Sequence, residues 1–140
     1  MTRINLIDPS MLIDSHLRGE YREITRVFTH AKKHVMAGRI PDDIDIPLSF
    51  RLGKGHETFF FDKIRWVLTR YQNLYAEMGK RGFRPDLKLY NKIYADVIIT
   101  FQHTEWFKNW TPKPQDYYLS MSRICMMSNI PSVNSELYGE

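Results

Sequence analysis

Cysteine is almost absent from this chain. Cys125 is the single one in 140 residues, so the chain can close no intrachain disulfide and build no cysteine-based zinc or iron–sulfur site. Metal-ligand spacing is missing as well. None of the five histidines pairs with a carboxylate at a ligand spacing, and although His30 and His34 stand one helical turn apart, Lys32 and Lys33 lie between them and no H-E-x-x-H occurs. That pair reads as a solvated helix face rather than a metal site. No apolar run approaches the length of a membrane span, and the first residues lack the apolar core of a signal peptide. The expectation is a soluble intracellular protein with no membrane contact.

What is present suffices for a core. With 43% hydrophobic and 14% aromatic residues, wholesale disorder is excluded, and the length fits one domain spanning residues 1–140. The net charge of +4 and a pI near 9.2 permit nucleic-acid binding without demonstrating it. Where the charge falls says more than its sum.

From Ser10, read as an N-cap, the apolar residues Leu17, Tyr21, Ile24, Val27, Phe28, Ala31 and Val35 recur at spacings of three and four until Gly38 stops the run. This predicts one long amphipathic helix. At about 100° per residue, Arg18, Gly19, Arg22, Glu23, Arg26 and His30 share the opposite side within an arc of roughly 140°. A single carboxylate therefore stands among three arginines. One reading is a solvated face with Glu23 paired to Arg22 or Arg26; the other is a field suited to a polyanion, to which Arg3 would add a fourth guanidinium.

The chain start carries a second signal. Thr2 is small enough for Met1 to be removed in a cell, leaving a threonine with a free α-amine. Such an amine has a reference pKa of about 7.7–8, well below that of lysine, and nearby Arg3, Arg22 and Arg26 would lower it further. A neutral amine is a nucleophile able to form a Schiff base at a sugar C1′. The alternative is a frayed terminus without a role.

After Gly38, RIPDDIDIPLSF reads as an irregular connection. The stretch Arg51-Leu52-Gly53-Lys54-Gly55-His56 suits either a plain turn or a close backbone approach to phosphate, with Lys54 adding charge. A second helix is predicted from about Phe59 to Arg81, with Phe60, Ile64, Val67, Leu68, Tyr71, Leu74, Tyr75 and Met78 inward and Gly82 at its end. Phe59, Phe60 and Phe61 are expected in the core. A further helix is read over 86–101 on the spacing of Leu89, Ile93, Val97 and Phe101. Trp106 and Trp110 are read as a cap over the core rather than a single-strand stacking platform. The last helix starts near Pro114 or Gln115 and reaches Met127.

Taken together, TRINL at the start and the pattern D-x-H-L-x-x-E-Y-R-E-x-x-R (Asp14, His16, Leu17, Glu20, Tyr21, Arg22, Glu23, Arg26) resemble the phage-type pyrimidine dimer DNA glycosylases, the endonuclease V family. The likeness continues through Lys33-His34-Val35, Leu52-Gly53, Gly55-His56, Thr58-Phe59-Phe60, Asp62-Lys63 and Lys80-Arg81-Gly82-Phe83. It dissolves over residues 84–112, returns briefly at Leu119-Ser120-x-Ser122-Arg123-Ile124, and is lost in the tail apart from Tyr138 and Gly139.

The resemblance implies an all-α fold: a single compact domain of about three main helices with the N-terminal segment threaded between them. It implies a bifunctional glycosylase and AP lyase acting on damaged double-stranded DNA as a monomer, without cofactor or metal. Thr2 and Glu23 would be the catalytic pair, with Arg3, His16, Arg18, Arg22, Arg26, Lys54, His56 and Arg123 at the DNA. Two alternatives stand beside it: an AP lyase or glycosylase for another lesion, and a small helical DNA-binding protein without catalysis.

Overall fold

The computed structural model describes residues 2–127, with side chains through Ile124. Met1, the Cys125 side chain and the tail with Tyr138 and Gly139 lie outside the described residues. The order is a 3-10 turn (Pro9–Met11), α1 (Asp14–Glu23), α2 (Thr25–Met36), a 3-10 turn (Pro41–Asp43), α3 (His56–Phe59), α4 (Ile64–Lys80), α5 (Leu87–Phe101) and α6 (Pro114–Met127). Among the described residues there is no β-strand, only an isolated bridge between Lys63 and Phe107. The fold is all-α, with five helices of ten residues or more among the described residues where the sequence reading expects about three.

Two predicted helices are divided, each for a local reason. The first run starts later than Ser10: Ser10 sits inside the opening 3-10 turn, where its N–H donates to Asp8 Oδ1 at 2.9 Å, and α1 begins only after Ile13 in extended geometry. It then breaks at Ile24, whose backbone stays right-handed helical (φ −59°, ψ −30°). The apolar period passes through that break unchanged, so Leu17, Ile24, Val27, Phe28 and Ala31 all remain buried. In the second run Phe59, Phe60 and Phe61 are all buried. Three consecutive side chains cannot share one face of a helix, so α3 stops after a single turn and α4 restarts at Ile64.

Helix ends follow their capping residues. At the end of α2, Gly38 adopts φ 74°, Gly38 N–H bonds the Val35 carbonyl and Arg39 N–H the His34 carbonyl. That is a left-handed stop which a Cβ would strain. Gly82 (φ 83°) does the same after α4. Asp86 caps α5, its Oδ1 accepting the Leu89 N–H at 3.1 Å, as an N-cap carboxylate should.

α1 packs on α4 and α2 on α5. Their joint core holds Leu17, Val27, Val67, Leu74, Val97 and Phe101. At roughly 1.5–3 kcal/mol for each fully buried apolar side chain, this interface fixes the direction of α1 and hence of its polar face. A tyrosine stack of Tyr21 on Tyr71 and Tyr71 on Tyr90, with centroids 5.3 and 5.2 Å apart, ties α1, α4 and α5 together. Trp106 closes the core as a cap: it stacks on His34 at 5.5 Å, and its indole N–H donates to the Arg39 carbonyl at 3.1 Å.

Candidate active site

Residues 2–7 are buried apart from the half-buried Arg3, yet no strand runs beside them. Their polar groups are met by side chains from four helices. From α3, His56 Nε2 accepts the Ile4 N–H at 2.9 Å. From α6, Arg123 Nη2 donates to the Ile4 carbonyl at 2.7 Å and to Asn5 Oδ1 at 3.1 Å, and Ser120 Oγ accepts the Leu6 N–H at 3.0 Å. From α4, Arg70 Nη1 donates to the Ile7 carbonyl at 2.6 Å. Glu20 of α1 accepts from Asn5 Nδ2 at 2.8 Å. Buried backbone groups need such partners, and here side chains do the work of a neighbouring strand.

Glu20 and Arg70 form the strongest tie. Both are nearly fully buried, and the guanidinium donates through Nε to Oε2 at 2.8 Å and through Nη2 to Oε1 at 3.0 Å. This two-pronged geometry is the one in which arginine and carboxylate bind best. Sequence reading assigned neither residue a role. A signal was available: Arg70 lies three residues after Val67 and four before Leu74, on the inward face of α4, where an unpaired arginine could not remain.

The segment's first residues reach the polar face of α1. Arg3 N–H donates to Glu23 Oε1 at 3.1 Å, which brings the chain start to the one carboxylate predicted among the arginines. Thr2 is buried. Beside them opens a cleft of about 60 Å³ lined by Arg3, Asn5, His16, Gly19, Glu20 and Glu23, with Ser15 and Ile124 at its edge. Burial, then the charges of Arg3 and Arg123, hold the His16 imidazole below its ordinary pKa. Its Nδ1 is buried without a hydrogen-bond partner among the described residues.

The remaining predicted residues divide by exposure. Arg18, Arg22 and Arg26 are exposed along α1 and α2, with the Arg18 guanidinium 5.2 Å over the Phe83 ring. His30, on the same face, pairs with Glu57. Lys54 is exposed in the turn after Gly53; the left-handed φ of Gly53 (66°) and Gly55 (87°) accounts for both glycines there. His56 and Arg123 lie behind the N-terminal segment instead. His56 is 3% exposed, and its Nδ1–H donates to the Arg51 carbonyl at 2.7 Å. Burial first, then the Arg123 charge, pulls its pKa down to about 4, so the ring is neutral at pH 7 and free to accept at Nε2. Burial also lowers Arg123, to about 10, which leaves it charged. Among the described residues no group of three or more His, Cys, Asp or Glu side chains is placed to hold a metal ion, and no helix is long and apolar enough to cross a membrane.

The structure thus brings Arg3, His16 and Glu23 to one cleft, buries Thr2 one residue from Arg3, ties the segment down through His56, Arg123, Ser120, Glu20 and Arg70, and leaves Arg18, Arg22, Arg26 and Lys54 exposed. A family model described as pyrimidine dimer DNA glycosylase matches residues 1–91. Over a stretch of 45 residues, 32% of this chain, it is 42% identical to leukocyte elastase inhibitor A of Rattus norvegicus and 40% identical to that of Mus musculus. The match spans only 12% of the length of those curated relatives.

Proposed function

Because this chain belongs to the pyrimidine dimer DNA glycosylase family, we propose that it excises cyclobutane pyrimidine dimers from double-stranded DNA and nicks the strand through an imine formed by the Thr2 amine. The observation that carries the reading is the 3.1 Å hydrogen bond from Arg3 N–H to Glu23. It ties the residue next to Thr2 to the one carboxylate of the arginine-rich face.

The chemistry follows from that placement. With Met1 removed, the α-amine belongs to the buried Thr2, and burial favours its neutral, nucleophilic form. The amine attacks C1′ of the damaged nucleotide, the bond from C1′ to the base breaks, and the base leaves with the electron pair. Loss of a proton from nitrogen and opening of the sugar ring give the protonated imine. Its positive charge acidifies the C2′ proton, whose removal expels the 3′ phosphate by β-elimination. Glu23 stabilises the cationic imine and carries the protons. His16, neutral in the cleft wall, lies beside the same atoms. No metal or cofactor is required, since the amine itself makes the electrophile.

Arg3, Arg18, Arg22, Arg26 and Lys54 supply the phosphate contacts, and their side of the molecule faces the bent duplex. Kinking DNA and extruding a base costs a few kcal/mol, less at a damaged step, which contributes to selectivity. The protein works as a monomer.

The test is covalent trapping. Untagged protein, shown by mass to start at Thr2, is incubated with dimer-containing and abasic duplexes under borohydride. Adducts on both are expected. Adducts on the abasic duplex alone would point to an AP lyase, and none on either, with DNA binding retained, would leave a non-catalytic DNA-binding protein.

A further inference from the structure

α6 is an unusual core helix. Over residues 114–124 its two buried side chains are polar, Asp116 and Ser120, while Tyr117, Tyr118 and Leu119 are exposed. Asp116 is used locally, accepting the Lys113 N–H at 2.8 Å as the helix cap. Ser120 and Arg123, one turn apart, both turn onto the N-terminal segment: Ser120 takes the Leu6 N–H, and Arg123 takes the Ile4 carbonyl and the Asn5 side chain. A second Arg123 nitrogen, Nη1, stands 3.3 Å from His56 Nε2, the atom that holds the Ile4 N–H. Both backbone polar groups of Ile4 are therefore gripped, two residues from Thr2. This helix lies beyond residue 91, where the family match ends.

We propose that Ser120 and Arg123 are positioning residues, and that α6 sets the register of the N-terminal segment so that the Thr2 amine meets the sugar beside Glu23. The proposal rests on the imine reading given above. One residue of extended chain covers roughly 3.5 Å, and misplacing a reacting atom by about 1 Å can cost about a hundredfold in rate. Slack at Ile4 or Leu6 therefore acts on the chemical step. Arg123 turns Nη2 onto the Ile4 carbonyl and the Asn5 side chain and Nη1 towards His56, while its Nε is buried with no hydrogen-bond partner among the described residues; Arg22 and Arg26, by contrast, are exposed.

The experiment compares the full-length wild type with Ser120→Ala, Arg123→Met and Arg123→Lys, and with Val97→Ala as a control. Val97 is buried in α5, away from the segment, and reproduces a loss of stability without touching it. Single-turnover cleavage of an abasic duplex at saturating enzyme, borohydride trapping, duplex affinity across a salt series and thermal midpoint are measured for each. Expected are a fall in the saturating rate of about tenfold or more for Ser120→Ala and Arg123→Met, partial recovery in Arg123→Lys, and an unchanged salt slope. Val97→Ala should keep the wild-type rate despite its lower midpoint. Weaker binding with a salt slope reduced by about one and an unaltered saturating rate would make Arg123 a phosphate contact and overturn the proposal. So would a rate that tracks the thermal midpoint in all four variants. If the wild type itself gives no trapped adduct, the imine reading fails and the positioning role with it. If the wild type is trapped and Ser120→Ala and Arg123→Met turn over as fast, the positioning role alone is wrong.

Discussion

Lowering the pH from 7.5 to 5 should cost this protein about 2 kcal/mol of folding stability through His56 alone. In the folded state burial and Arg123 hold this imidazole at a pKa of about 4, whereas in an unfolded chain it returns to about 6.5. The folded pKa is the lower one, so between these values the unfolded chain binds more protons, and stability rises with pH. The contribution is complete above about pH 6.5 and is lost as pH falls towards 4, where the full loss reaches about 3 kcal/mol. The geometry gives the cost its cause: a protonated Nε2 would point a third donor at the Ile4 N–H and the Arg123 guanidinium. The assay is urea unfolding at a series of pH values for wild type and His56→Gln, a side chain that keeps an acceptor and does not titrate. All other titrating groups are common to both proteins, so the difference between the curves isolates His56. Parallel curves, within about 0.5 kcal/mol from pH 7.5 to 5, would refute the assignment of His56 as a neutral buried acceptor.

Other outcomes follow from the same geometry. Glu23→Gln should lower cleavage of a dimer-containing duplex by about 10²–10⁴-fold while duplex affinity holds or tightens; a loss under about tenfold at equal affinity would make Glu23 a surface charge. Arg22→Ala and Arg26→Ala should each flatten the salt dependence of DNA binding by about one unit of slope, as read from titrations between low and moderate salt. Arg70→Met should destabilise the fold by about 3–5 kcal/mol, because it strands the Glu20 carboxylate in the core. The double change with Glu20→Leu should recover much of that in chemical denaturation.

Most helix ends could be read from the chain because single residues cause them. Gly38, Gly82 and Asp86 stop or start helices where expected, and the stretches 86–101 and 114–127 fold as the periodicity predicts. The break at Ile24 could not be read, since its backbone stays helical and the apolar period continues across it. The break after Phe59 was implicit in three adjacent phenylalanines that all had to be buried, but spacing alone does not say where the chain will give way. The site shows the same division. Thr2, Arg3 and Glu23 were linked by their chemistry and by the family likeness; of these, the Arg3 N–H bonds Glu23 and Thr2 is buried next to it in the chain. His56 and Arg123 were placed at the DNA by the family likeness, and their bonds to Ile4 and Asn5 had no signal in the sequence. Glu20, Arg70 and Ser120 went unassigned because their partners are backbone groups and each other, brought together only by the tertiary fold.

The grip of α6 on the opening segment also sets an order of events during synthesis. Leu6 is held by a residue 114 positions later, and the Ile4 carbonyl by one 119 later. At about 5–20 residues per second, the first residues wait roughly 6–25 seconds for their last partners to be made. Throughout that interval the segment lacks the ties that later bury it, and a peptidase acting on the emerging chain meets Met1 on a loose end. Once α6 docks, Thr2 is enclosed. On the proposed imine mechanism, removal of Met1 belongs to this interval, before Thr2 takes up its buried position.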